Sequence, residues 1–274
     1  MRRALLRTSV IVTTYENPRA LAVVLEALGR QGVADFEILV ADDGSGAETR
    51  TVVERFAAAE RRPVRHVWHP DEGVRRCTIA NKAILASSGE YLVFLDGDCV
   101  PPPHWLAAHL SRAERGVFVA GGKALIDAEL TAAIFEGRVD AQRLHTFTPL
   151  WRRIERNRRI AVSRLPLLRS VFNRNLERRC SWAGEDSSTF ADHMHDIGGF
   201  DERFSLPWDD ADTGARLKAS GLRGRSIRYV APVLHLDHGR SYCSPDINRR
   251  NYELFLSNQA AGLVATPYGL SRYR

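Results

Sequence analysis

The stretch "YLVFLDGDCVPPP", residues 91–103, carries the reading of the whole chain. Its apolar run, Tyr91 to Leu95, has the length and composition of a buried strand, and it leads directly into Asp96 and Asp98 with Gly97 between them. Two residues apart in extended chain, the two carboxylates point to the same side. Gly97 lets the backbone turn closely beneath a ligand. Paired acids at the end of a buried strand repel unless a cation offsets them, and oxygen ligands suit Mg²⁺ or Mn²⁺. Taken alone, the stretch reads equally well as a solvated Asp-Gly turn.

The flanking sequence decides between these. "SVIVTTY" (9–15), "FEILVADDGS" (36–45) and "VRHVWH" (64–69) are further strand-like runs. Between them lie helical stretches: "NPRALAVVLEALGRQG", with Asn17 as a cap and Pro18 in the first turn, then "AETRTVVERFAAAE", then "CTIANKAILASSG". Strands alternating with helices predict an α/β fold with right-handed crossovers and a mostly parallel sheet. The polar clusters at residues 13–17, 42–45 and 96–98 each follow a strand, so they gather at the carboxyl edge, where open α/β sheets bind ligands. Asp42 and Asp43 can accept from a ribose hydroxyl or a base N–H there. A nucleoside diphosphate carrying a metal would account for both acidic clusters.

The second half is less regular. "WLAAHLSRAE" reads as a helix, "GVFVAGGKALI" as a strand with a glycine break, and "IRYVAPVLHL" as strand-like. In "WDDAD" (208–212) the acids suit the first turn of a helix. Trp208 beside them adds what a sugar ring needs, an apolar face next to carboxylate acceptors. A carboxylate there can also take a proton from an attacking hydroxyl. His235 and His238, in "VLHLDHGR", end a strand-like run and can return to the sheet edge as metal ligands.

Composition fits a soluble globular chain of 274 residues, 44% hydrophobic and 26% charged, with a net charge of +6 that favours an anionic ligand or surface. The four cysteines form no CxxC pair, which argues against a zinc ribbon or disulfide framework and fits a reducing compartment. No run approaches the length of a membrane span, and the N-terminal apolar run is too short for a signal peptide. A cytoplasmic protein is expected.

These pieces, in this order, resemble a family 2 glycosyltransferase of the GT-A fold. "SVIVTTYENPRAL" resembles the family's opening strand and nucleotide loop, "FEILVADDGS" its uridine-binding segment and "YLVFLDGDCVPPPHWL" its DxD motif. "IGGFDERFSLPWDDADTGARLKASG" resembles the region shared with chondroitin-polymerase-like and β-galactosyltransferase-like members. The resemblance covers roughly residues 8–240. It implies one GT-A domain over residues 1–274, a Rossmann-like, mostly parallel sheet flanked by helices. Residues 1–103 would form the nucleotide-binding half and residues 104–274 the acceptor-binding half.

It further implies inverting transfer from a nucleotide-activated sugar, most often a UDP-sugar, to a glycan or lipid-linked acceptor, with Mn²⁺ or Mg²⁺ and no nucleic-acid partner. Thr13, Tyr15, Glu16, Asp42, Asp43, Asp96 and Gly97 would face the nucleotide. Arg75 and Arg76 would contact the diphosphate. Asp98 would bind the metal with either His235 or His238. Asp210 would be the general base, and Asp209 and Trp208 would hold the acceptor.

Three departures stand out. Asp209 is shorter than the usual Glu. Asp186, in "WAGEDSSTF", stands where many members have Asn. The arginine-rich residues 151–179 match no family motif and read as a solvated excursion or as a patch for an anionic acceptor or a membrane surface. Two other classes compete, a sugar-phosphate nucleotidyltransferase and a catalytically silent nucleotide- or glycan-binding domain.

Overall fold

The computed structural model describes residues 6–145, 180–239 and 244–273; the arginine-rich residues 151–179 lie outside them. β1 (Thr8–Thr14), α1 (Pro18–Gly29), β2 (Glu37–Asp42), α2 (Ala47–Ala59), β3 (Val64–Trp68), α3 (Arg76–Ala86) and β4 (Tyr91–Asp96) alternate as expected. Asn17 caps α1 by accepting from the Ala20 N–H, and Pro18 occupies its first turn. β1 lies between β2 and β4, parallel to both. Val10 and Val12 face one apolar layer and Ile11 the other, so the strands are buried on both sides and read as continuous apolar runs.

The remaining elements are β5 (Cys99–Val100), α4 (Trp105–Arg112), β6 (Val117–Ala120), β7 (Lys123–Leu125), α5 (Ala128–Phe135), α6 (Ala141–Leu144), β8 (Asp186–Phe190), α7 (Ala191–Asp196), α8 (Asp209–Ala219), β9 (Arg223–Ser226), β10 (Val233–His235) and α9 (Pro245–Ala260). Among the described residues the main sheet has seven strands in the order β3-β2-β1-β4-β8-β6-β9, with β8 antiparallel to both neighbours. A second sheet, β5-β10-β7, stands beside its carboxyl edge.

The structure refines two expectations and explains one departure. The "GVFVAGGKALI" run is not one strand: at Gly121 and Gly122 it passes from the main sheet to the small one. A Cβ on Gly121 would lie 1.8 Å from Asp186 Oδ2, so no side chain fits there. "IRYVAPVLHL" is a turn followed by a three-residue strand. Asp186 is a core residue: it is fully buried and accepts from Trp105 Nε1 (2.8 Å), His109 Nε2 (2.9 Å) and the Gly122 N–H (2.9 Å). β8 escaped notice because its interior is Ser and Thr, satisfied within the sheet; Ser188, for example, bonds Tyr91 and His109.

"IGGFDE" is a scaffold that presents the N-terminus of α8. Gly198 and Gly199 have φ of +77° and +75°, and a Cβ on Gly199 would lie 2.5 Å from Asn81 Oδ1. Asn81 binds the Phe200 backbone through both N–H and C=O. From α8, fully buried Arg216 pairs with Asp212 (2.7 Å) and donates to the carbonyls of Ile197 and Gly199. Removing one partner of a buried pair strands the other charge. Arg216→Ala is therefore expected to cost about 3–5 kcal/mol in denaturant unfolding; a loss below about 1 kcal/mol would show that the pair does not hold this loop. Among the described residues no helix is long and apolar enough to cross a membrane.

Candidate active site

The strand register brings the polar clusters together. Thr13 pairs with Asp96 and Thr14 with Asp42, so the ends of β1, β2 and β4 lie side by side. They border a cavity of about 420 Å³. Thr13, Tyr15, Glu16 and Asp43 line one part of it, and Arg76, Asp96, Gly97, Asp98 and His238 another. Gly97 is needed sterically: its Cβ would lie 3.0 Å from the Thr13 carbonyl oxygen.

Asp42 and Asp43 part company. Asp42 is fully buried, accepts from the Ser45 N–H (2.8 Å) and bonds His66 Nε2 (2.8 Å), so its carboxylate closes the turn and does not border the cavity. Asp43 does border it, held by the Arg75 N–H (2.8 Å) and by His69 Nε2 (2.7 Å). Lys82 Nζ lies 3.3 Å from His69 Nδ1, so His69 accepts from Lys82 and donates to Asp43. Burial pushes the Asp43 carboxyl up, against the opposing pull of His69 and the Arg75 N–H. His69 carried no sequence signal, being a lone histidine after a strand. Tyr15 is half exposed and donates to Asp71 (3.0 Å). The Glu16 carboxylate accepts from the Gly46 N–H (2.7 Å), which ties the first loop to the start of α2.

The two arginines are not aimed at a phosphate here. Arg75 donates to Glu72 (2.6 Å) and to the Pro70 carbonyl. Arg76, nearly buried, spans the acids: Nη2 donates to Asp96 Oδ1 (2.7 Å) and Nη1 to Asp209 Oδ2 (2.8 Å), with Asp210 Oδ1 at 3.8 Å. Thr13 Oγ1 donates to the same Asp96 oxygen (2.7 Å). Asp96 at the end of β4 and the "DD" pair of α8 thus meet on one guanidinium. Gly184 makes room, since a Cβ there would lie 2.3 Å from Asp210 Oδ1 and 2.8 Å from Arg76 Nη2. Burial pushes the carboxyls of Asp209 and Asp210 up; at Asp210 the charge of Asp209 adds to the effect, and Arg76 opposes it at both.

Asp98, His235 and His238 bring three potential ligand atoms within 4.8 Å of one another. His238 Nδ1 lies 2.8 Å from the Gly239 carbonyl, which can only accept, so Nδ1 carries the proton. Nε2, 2.8 Å from Asp98 Oδ2, then faces a carboxylate with its lone pair unless it too is protonated or a cation lies between them. His235 Nε2 is 3.8 Å from the same oxygen, and burial holds that ring's pKa down, in the neutral form a metal requires. One carboxylate and two imidazoles fit a divalent ion such as Mn²⁺.

Trp208 does not line the cavity. It stacks on Phe255 and packs at a tilt against Tyr252 of α9, with ring centroids at 5.5 and 4.7 Å, and donates to Asn248 Oδ1 (2.7 Å). It links α8 and α9 beside the two acids.

Residues 9–171 match the model of glycosyl transferase family 2. Validoxylamine A glucosyltransferase of Streptomyces hygroscopicus subsp. jinggangensis is 30% identical over 232 residues, 78% of this chain and 52% of that protein. Chondroitin synthase of Escherichia coli is 29% identical over 122 residues, 43% of this chain and 18% of that one. The chain thus spans about half, or less, of the length of these relatives. Among solved structures, S. aureus TarS 1-349 in complex with UDP-GlcNAc superposes with a TM-score of 0.62 at 16% identity, covering 97% of this chain and 69% of that one. Mannosyltransferase PcManGT from Pyrobaculum calidifontis, in complex with GDP-Man and Mn²⁺, gives 0.59 at 19%, covering 93% and 63%. The chain belongs to glycosyl transferase family 2 and has the GT-A fold.

Proposed function

We propose that this chain is a metal-dependent, inverting glycosyltransferase that uses a nucleoside-diphosphate sugar, UDP-linked in first place, to glycosylate a hydroxyl of a glycan or lipid-linked acceptor. One observation carries the reading: Arg76 joins the acid at the end of β4, beside the candidate metal ligands, to the acid pair that opens α8. Leaving-group and nucleophile machinery would then share one wall. The similarity to proteins solved with UDP-GlcNAc, or with GDP-Man and Mn²⁺, supports the donor class and the metal. Family membership argues against a sugar-phosphate nucleotidyltransferase.

In this reading Asp43 and the residue 13–17 loop hold the nucleoside. Asp98, His235 and His238 would hold a divalent cation, Mn²⁺ or Mg²⁺, which supplies charge neutralisation for the departing diphosphate. Asp209 positions the acceptor, and Trp208 braces the start of α8 against α9 beside it. Asp210 takes the proton of the acceptor hydroxyl as its oxygen bonds to the anomeric carbon; the bond from that carbon to the phosphate oxygen breaks on the opposite face, inverting the centre.

Calorimetric titration of UDP, GDP and dTDP, with Mn²⁺ and with EDTA, tests the site. One nucleotide is expected to bind with metal, and at least tenfold more weakly with EDTA or in Asp98→Ala, a loss of about 1.4 kcal/mol or more. Folded protein that binds none of them would end the metal–diphosphate reading.

A further inference from the structure

Glu185 and Lys123 were silent in the sequence, and the fold brings them together as an ion pair, near enough to Asp210 and His235 for its charges to act on both. β8 starts at Asp186, paired with Leu95, so Glu185 stands beside the end of β4 at the level of Asp96. Its neighbour Gly184 packs against Asp210 Oδ1 and the Arg76 guanidinium. Lys123 opens β7 in the other sheet, where it pairs with Val233, two residues before His235. Lys123 Nζ lies 3.2 Å from Glu185 Oε1, and the side chains keep 24% and 15% of their surface exposed.

An ion pair at this depth is a poor device for stability, because desolvation cancels most of its attraction and apolar side chains would join the two sheets as well. It is a good device for reading hydroxyls. An ammonium has three donors and a carboxylate about four acceptor positions, so a Lys–Glu couple can donate to one hydroxyl and accept from the next. We propose that Lys123 and Glu185 bind hydroxyls of the transferred sugar and determine which nucleotide sugar is used. This rests on the donor reading above, which puts the sugar between the metal ligands and Asp210. The couple has no net charge, so it suits a neutral sugar with adjacent hydroxyls, and Glu185 disfavours a uronic acid. Electrostatics agree with the placement. Burial draws the Lys123 pKa down, but Glu185, Cys99 and Asp96 together outweigh it and raise the pKa, which keeps the ammonium protonated. Glu185 also contributes, after burial and Asp209, to the raised pKa of Asp210.

The test compares two affinities in one protein, that for UDP or GDP and that for the matching sugar nucleotides, with UDP-Glc, UDP-Gal, UDP-GlcNAc, UDP-GlcA and GDP-Man as probes. Glu185→Gln and Lys123→Met are expected to leave free-nucleotide affinity within about twofold while changing the sugar-nucleotide to nucleotide ratio, or transfer kcat/KM, by tenfold or more. The paired replacement Lys123→Met with Glu185→Leu separates contact from strut: it should melt like wild type and still lack the sugar preference. An unchanged ratio and rate, an equal loss for free nucleotide and sugar nucleotide, or a paired variant with wild-type preference would each overturn the assignment. Wild type that binds no nucleotide would overturn the donor reading and this assignment with it; nucleotide binding with an unaltered preference in the variants would overturn this assignment alone.

Discussion

Asp210→Asn is expected to lower the transfer rate by about 10²–10⁴-fold, the usual contribution of a positioned base, and to leave nucleotide-sugar affinity unchanged. That corresponds to about 3–5 kcal/mol of transition-state stabilisation. Asparagine keeps the shape and cannot accept the proton. The site favours this carboxylate over its neighbour. Asp209 is engaged with Arg76 at 2.8 Å, whereas the Arg76 nitrogen is 3.8 Å from Asp210 Oδ1, and that oxygen is buried with no hydrogen-bond partner among the described residues. Burial and the adjacent Asp209 raise the Asp210 pKa, which makes its ionised form a stronger base. The sign in pH follows. With Asp210 as the base, activity would need the carboxylate ionised, so kcat/KM is expected to fall as pH drops through a pKa above the ordinary carboxylate range, and that acid limb should vanish in Asp210→Asn. Wild-type turnover in the variant would remove Asp210 from the mechanism. Donor binding by wild type without any transfer, across acceptors, would favour a silent binding domain.

The first half of the chain was legible because its information is local. "YLVFLD" is apolar along its length, ends on its acids, and forms a strand over those residues. Asn17–Pro18 starts a helix where capping rules put one. The second half depends on contacts made at a distance. β8 is a central strand built from Asp, Ser and Thr, and distant partners such as Trp105, His109 and Tyr91 make that composition tolerable. Asp42 and Asp43 are adjacent in sequence and look interchangeable there; alternation along the chain turns one inward to His66 and the other to the cavity. Arg76 was expected at the diphosphate, but the partners it has lie 20 and 133 residues away. No spacing rule reaches that far.

Those distant partners make Arg76 the most consequential cation described in the site. One guanidinium faces three carboxylates, those of Asp96, Asp209 and Asp210. Burial pulls its pKa down, but the three acids outweigh burial and keep it protonated. Arg76→Met keeps much of the volume and strands the acids without a counter-charge, so a loss of about 3–5 kcal/mol in stability is expected. In a thermal melt this is a fall of roughly 6–20 °C. The deficit should shrink as pH falls, since the Asp209 and Asp210 carboxyls, already raised and without Arg76 raised further, escape their repulsion by taking protons. Arg76→Lys should recover only part of it, because a single ammonium cannot fork to Asp96 and Asp209 together. Transfer should suffer in both variants, since Asp209 and Asp210 lose the contact that fixes them relative to the end of β4. If Arg76→Met melts and transfers like wild type, the acids hold their positions without it, and the coupling of donor and acceptor sides through this side chain is wrong. If the deficit appears and narrows in acid, repulsion among those three carboxylates is its cause. The aspartates of the opening stretch are then tolerated at the sheet edge partly because an arginine from the start of α3 stands against the first of them.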